Sequence, residues 1–244
     1  MQTRAPLVAV VLLLAGCGGA GAPGTAAPSG VDGLEIPTPS PDPRDFVERI
    51  DNPYLPLVRG SRWTYEESGS EGTLTITVTV TDQTREVAGV PTTVVHDEVR
   101  DADGELVEDT FDWYAQDAAG NVWYFGEDTT AYDGDKTSTE GSWEAGVDGA
   151  MAGIVMLAEP RVGDGYQQEF LEGVAEDQAE VLEVEGTVDL ELESYDRVVV
   201  TADTTPLEPE LEEHKFYAPD IGLVAEETVR GGDERVVLTS FAPG

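Results

Sequence analysis

The 244-residue chain holds one cysteine, two lysines and two histidines. A lone thiol cannot close an internal disulfide, so the cysteine must be explained by its position. Basic residues of both kinds number 13 against 50 acidic ones, a formal net charge of −37. Such a surface repels phosphate backbones and anionic lipid heads, which excludes nucleic-acid binding and disfavours docking flat on a membrane. It suits cations, basic partners, or solubility at high salt. Catalytic signatures are equally scarce. Gly69-Ser70-Glu71-Gly72 is one residue short of a nucleophile elbow, Ser-x-x-Lys is absent, and no glycine-rich phosphate loop occurs. A hydrolase would therefore need His96 or His214 to meet an acid and a nucleophile in a cleft. A zinc site would need the two histidines to converge with Asp97 or Glu213.

What the chain does contain begins at its start. Arg4 precedes the apolar run Leu7–Ala15, which is too short to span a bilayer and reads as the core of a signal peptide. The run ends in Leu14-Ala15-Gly16-Cys17, which resembles the lipobox of bacterial lipoproteins. Small residues before the cut admit a peptidase to the backbone, and the thiol of Cys17 accepts a diacylglyceryl group. The expected parts are a signal peptide at 1–16, a lipidated Cys17 with a flexible linker at 17–43, and a single β-rich domain at 44–244. Two or more acyl chains, at roughly 0.8 kcal/mol per buried methylene, hold a protein durably on a membrane. That implies a cell-membrane anchor facing the extracytoplasmic side. Residues 18–43 are nearly all Gly, Ala, Pro, Ser and Thr, a composition that cannot bury a core. As a coil they would span on the order of 25–30 Å.

Beyond a short helix expected at Arg44–Ile50, the hydrophobic period is two. Leu74, Ile76, Val78 and Val80 alternate with threonines, and Leu182, Val184, Val188, Leu190 and Leu192 alternate with acidic residues and Thr187. Turn signals at 101–104, 117–121, 132–135 and 231–233 place Gly or Asn where hairpins need positive φ. Their spacing implies roughly ten strands. The fold class is mainly β: a single antiparallel meander sheet, strongly curved into a half-barrel or sandwich-like shape, with one or two short helices. Ala145–Glu159, apolar but interrupted by glycine, reads as a loop or short helix. Aromatics come in pairs: Trp63 with Tyr65, Trp113 with Tyr114, Trp123 with Tyr124 and Phe125, and Phe216 with Tyr217. Neighbouring strand positions face opposite ways, so one of each pair is expected in the core and its partner on the outer face or under a loop.

Two stretches, Asp51-Asn52-Pro53-Tyr54-Leu55-Pro56-Leu57 with Gly60-Ser61-Arg62-Trp63-Thr64-Tyr65, and Glu213-His214-Lys215-Phe216-Tyr217-Ala218-Pro219-Asp220-Ile221-Gly222-Leu223-Val224, resemble the two ends of an uncharacterised family of exported bacterial lipoproteins. The middle stretch Asp112–Gly126 resembles it as well. The strand pattern is similar to curved sheets of the lipoprotein-carrier type, which implies an apolar concavity. At Asp220 the family has glycine, a departure that bears on the turn there. The resemblance supplies no catalytic residues. The densest carboxylate region, residues 97–112, offers Asp101, Asp103 and Glu105 on a hairpin tip as candidate Ca²⁺ ligands, although the spacing is not that of an EF-hand. The function that follows is a non-catalytic, lipid-anchored binding or structural domain of the cell envelope, with a small apolar ligand or an envelope protein as its partner. A Ca²⁺-binding module and a hydrolase are the alternatives.

Overall fold

A computed structural model describes residues 42–70, 72–134 and 136–244. Cys17, the leader and most of the linker fall outside the described residues. Within them the chain forms one 3-10 turn, Pro43–Asp45, and sixteen strands. These are β1 (Phe46–Val47), β2 (Arg62–Gly69), β3 (Gly72–Val87), β4 (Val90–Arg100), β5 (Leu106–Asp117), β6 (Val122–Asp133), β7 (Lys136–Ser138) and β8 (Trp143–Glu144). There follow β9 (Met151–Met156), β10 (Gly165–Gln167), β11 (Glu169–Phe170), β12 (Gln178–Asp189), β13 (Ser194–Thr204), β14 (Glu212–Ala218), β15 (Gly222–Arg230) and β16 (Arg235–Ala242). Eleven have six residues or more, close to the number the turn spacing implies. The rest are two- and three-residue pairings too short to leave a periodic signal.

Every pairing is antiparallel, in the order β10-β12-β13-β14-β15-β16-β2-β3-β4-β5-β6-β9-β11. The sheet therefore runs as two meanders, β2 to β6 and β12 to β16, joined where Ala242 on β16 lies opposite Arg62 on β2. Right-handed twist accumulated over so many strands curls a sheet toward closure. Here the segment 165–170 closes it: Gly165–Gln167 pairs with β12, and Glu169–Phe170 pairs with β9. The result is a nearly closed barrel, which removes most of the exposed edge that an open sheet would leave for aggregation.

Two segments differ from the sequence reading. Arg44–Ile50 is no helix: after the 3-10 turn, Phe46 and Val47 pair with Asp117 and Gln116 at the end of β5. Seven residues barely exceed one helical nucleus, whereas the Phe46 ring gains edge-on contacts with Trp123 at 5.9 Å and Phe125 at 5.4 Å. Within Ala145–Glu159, residues 151–156 form β9, and Gly153 lets the closing segment pass directly over that strand.

The aromatic pairs divide as the two-residue period requires. Tyr114 and Tyr124 face the barrel interior and stack at 4.9 Å. Trp113 faces outward and is covered by the Arg85 guanidinium at 3.9 Å, which Glu144 holds. Trp63 and Tyr65, two positions apart, share one face, and both are buried inward, so that pair does not split.

One end of the barrel is plugged by the irregular strap 51–57, and the three stretches that carry the family resemblance meet there. Asn52, 2% exposed, donates from Nδ2 to the carbonyls of Gly120 and Leu157 and accepts from Tyr54 N through Oδ1. Its own N–H, like that of Asp51, donates to Gln116 Oε1. From the other end of the chain, Asp220 N donates to Pro53 O, Trp63 Nε1 to Ile221 O and Tyr65 Oη to Leu223 O. Asp220 sits at φ +64, a conformation that favours glycine, and its short side chain tolerates it. Replacing Asn52 with alanine would strip partners from three part-buried backbone groups. We expect a loss of about 2–4 kcal/mol in urea unfolding, with the slope unchanged.

Candidate ligand-binding cavity

The barrel holds a part-open cavity of about 420 Å³, within the size range of small-molecule sites. One wall is apolar. The sequence period places Ile76 and Val78 of β3 on it, Val95 comes from β4, Val236 from β16, and Leu55 and Leu57 reach in from the strap. Trp63 and Tyr65 of β2 complete that side.

Acidic groups are set directly beside these apolar ones, Asp97 being the cross-strand partner of Val78 and Asp112 that of Val95. Asp97 of β4 and Asp112 of β5 project inward because they follow Val95 and precede Tyr114 at two-residue intervals. Burial, together with the charge of Glu108, pushes Asp97 up to about 7, and its Oδ1, shielded from solvent, has no hydrogen-bond partner. Asp112 is 9% exposed, and burial holds its carboxyl well above the usual range. Tyr124 Oη lies 2.6 Å from Asp112 Oδ1 and 3.1 Å from Glu127 Oε2. A phenol has one proton to give, so both contacts are hydrogen bonds only if one of the two carboxyls is protonated. The raised values of Asp112 and Glu127, each set first by burial, agree with that.

Further round the barrel, Glu169 of β11 is pushed up to about 8 by burial and by Asp177, while its Oε2 accepts from Trp143 Nε1 at 2.9 Å. Lys215 of β14 is the single base on the lining. Burial works against its charge, but Glu226 and Asp203 more than offset this and hold it well above its ordinary value. Its Nζ stands 3.3 Å from Asp203 Oδ2 and 3.8 Å from Glu226 Oε2. Asp203 is pinned further by Gln168 Nε2 and Thr201 Oγ1. Burial keeps the Tyr65, Tyr114, Tyr124 and Tyr217 phenols neutral.

Of the residues that the sequence singled out, Asp97, Asp112 and Lys215 reach this cavity, as do Trp63, Tyr65, Tyr114, Tyr124 and Tyr217 from the aromatic pairs. The tip ligands do not. Asp101 Oδ1 accepts from the backbone N–H groups of Asp103 and Glu105, making a local turn, while the Asp103 and Glu105 side chains point into solvent. Among the described residues no group of three or more His, Cys, Asp or Glu side chains is placed to hold a metal ion. His96 lies outside the barrel, stacked on Phe111 at 4.4 Å with Nε2 2.5 Å from Asp109 Oδ1. His214, on a strand separated from it by β15, β16, β2 and β3, has Nε2 3.3 Å from Glu212 Oε1. Neither imidazole meets a hydroxyl or the other histidine among the described residues. Sequence reasoning missed Asp112 as a site residue in its own right, and Glu169, Asp177 and Glu226 altogether. A carboxylate spaced two residues from an inward aromatic, as Asp112 is from Tyr114, was the available signal.

No family model matches the chain, and no curated protein matches it. Among solved structures, a protein from Bacteroides fragilis described as exported and of YmcC-like fold aligns at 16% identity and a TM-score of 0.46, over 78% of this chain and 98% of its own. A protein from Parabacteroides distasonis described as a lipoprotein aligns at 11% identity and a TM-score of 0.41, over the same shares.

Proposed function

We propose that this chain is a non-catalytic, lipid-anchored binding domain of the cell envelope, whose barrel interior takes a small ligand with an apolar part. The observation that carries the reading is the cavity of about 420 Å³ inside a nearly closed barrel, walled on one side by Leu55, Leu57, Ile76, Val78 and Val95. A sheet that needed only a core would fill that space with side chains. The anchor rests on Leu14-Ala15-Gly16-Cys17, and the linker behind it holds the acidic body clear of the lipid heads.

Two experiments test the two halves. Replacing Cys17 with serine is expected to abolish incorporation of labelled palmitate and to move the protein from the membrane to the soluble fraction. Retained acyl label would refute the anchor. Native mass spectrometry of the purified mature protein is expected to show a bound species below about 500 Da that is lost on denaturation, the range that a cavity of this size admits. A single mass equal to the bare polypeptide plus its acyl groups, unchanged after incubation with envelope extract, would refute the ligand.

A further inference from the structure

We propose that the ligand is an organic cation, an ammonium group on a compact apolar or aromatic body, whose charge sits between Asp97 and Asp112 and whose body lies against the Leu55, Ile76 and Val78 wall. The inference rests on the reading of the cavity as a ligand site and adds the sign of the ligand's charge.

Unequal charge on the lining is the first argument. Six carboxylates face the cavity, those of Glu67, Asp97, Asp112, Glu169, Asp177 and Glu226, against one base. That base is already engaged by Asp203 and Glu226. Among the described residues neither Asp97 nor Asp112 has a lysine or arginine within ion-pair distance, so neither has a cation of the protein's own to stabilise its charged form. Asp97 Oδ1 makes the point independently, being out of solvent and unbonded on a cavity wall. Native proteins leave few such atoms, and those they leave call for a partner that the protein alone does not supply.

Donors are the second argument, because most of those on the lining are already engaged. Trp63 Nε1 and Tyr65 Oη donate to backbone carbonyls, Tyr124 Oη to Asp112, and Gln168 Nε2 to Asp203. A carboxylate or phosphate entering here would meet the Tyr114 and Tyr217 phenols among six carboxyls and one lysine already engaged. A cation would find the carboxylates and, beside Asp112, the stacked faces of Tyr114 and Tyr124. Because burial raises Asp97 to about 7 and raises Asp112 as well, with Glu98 and Glu108 adding to the rise at Asp97, Glu127 and Glu108 at Asp112, and His96 and Tyr124 opposing it, a cation bound beside Asp97 displaces protons. Affinity therefore rises with pH between about 6 and 8.

The test is isothermal titration of the full chain carrying Cys17→Ser, so that neither acyl chains nor detergent compete for the cavity. Three probes of one shape differ only in charge: phenethylamine, phenethyl alcohol and phenylacetate. The amine is expected to bind at least tenfold more tightly than either of the others, with an observed heat that varies with the buffer's ionisation enthalpy, the mark of proton release. Asp97→Asn and Asp112→Asn should each weaken the amine about tenfold or more while leaving the alcohol unchanged, with thermal unfolding of each variant confirming that it folds. Equal binding of amine and alcohol, or amine binding indifferent to both substitutions, overturns the cation and leaves the ligand site standing. Failure of all three probes at millimolar concentration overturns both.

Discussion

Replacing Gly153 with valine is expected to lower the stability of the domain by more than about 3 kcal/mol and to release any ligand it holds. Gly153 lies in β9 where the closing segment crosses it. A Cβ added there would stand 2.5 Å from C and O of Gln168, and closer still to the Gln167 carbonyl oxygen. All three are backbone atoms of the piece that joins β9 to β12, so no rotamer can relieve the crowding and the seam must part. Parting it would expose Gln167 and Gln168, buried at 5% and 8%, and break the bond from Gln168 Nε2 to Asp203, which helps place Lys215. Gly104→Ala is the control, at φ +82 with nothing within 4 Å. It carries conformational strain without a collision, and about 1 kcal/mol is expected. Urea unfolding of the two variants measures the difference, and a Gly153→Val midpoint no lower than that of Gly104→Ala would show that the barrel is not closed by this crossing.

The architecture was legible wherever one face of a strand meets water. Leu74, Ile76, Val78 and Val80 against threonines predict β3 because its outer face is solvated, and the aspartate-glycine turns mark hairpins because few other residues accept positive φ. Closure was not legible. Segment 165–170 is six residues of mixed polarity, Gly165-Tyr166-Gln167-Gln168-Glu169-Phe170, whose partners lie on strands that only the curvature of the whole sheet brings near. The strap was half legible: its prolines forbid regular pairing. That Asn52 clamps carbonyls 68 and 105 residues away is a tertiary fact with no local trace.

The candidate site was harder to read, and the reason is the composition. With 50 acidic residues, a carboxylate carries little information by its type alone. Density pointed to 101–105, where Asp101 closes a local turn and Asp103 and Glu105 are exposed. What sets Asp97 and Asp112 apart is the face they occupy, two residues from Val95 and Tyr114 on the cavity side of their strands. Polar residues in an inward row are the signal that counting misses.

Because those carboxyls are buried, stability should fall as pH rises across neutrality, opposite to the behaviour of carboxylates held in ion pairs. Asp97 is raised to about 7, Glu169 to about 8 and Glu213 to about 7, in each case first by burial. In the unfolded chain the same groups titrate near their ordinary values of 3.8 for Asp97 and 4.5 for the two glutamates. Between those limits the folded state holds protons that the unfolded state has released, so unfolding is favoured by each step up in pH. Each group contributes a slope of at most ~1.4 kcal/mol per pH unit, fully stabilising below about pH 4 and lost by about pH 8. Thermal unfolding at fixed ionic strength is therefore expected to give a Tm that declines steadily from pH 5 to pH 8. Asp97→Asn, which cannot ionise, should flatten the decline and exceed the parent at pH 8. A Tm that rose over this range would mean that the cavity carboxylates are solvated or paired, and with them would go the electrostatic grounds for a cationic ligand. Added phenethylamine should rescue the Tm more at pH 8 than at pH 5, since the cation takes the place of the protons that the wall has lost.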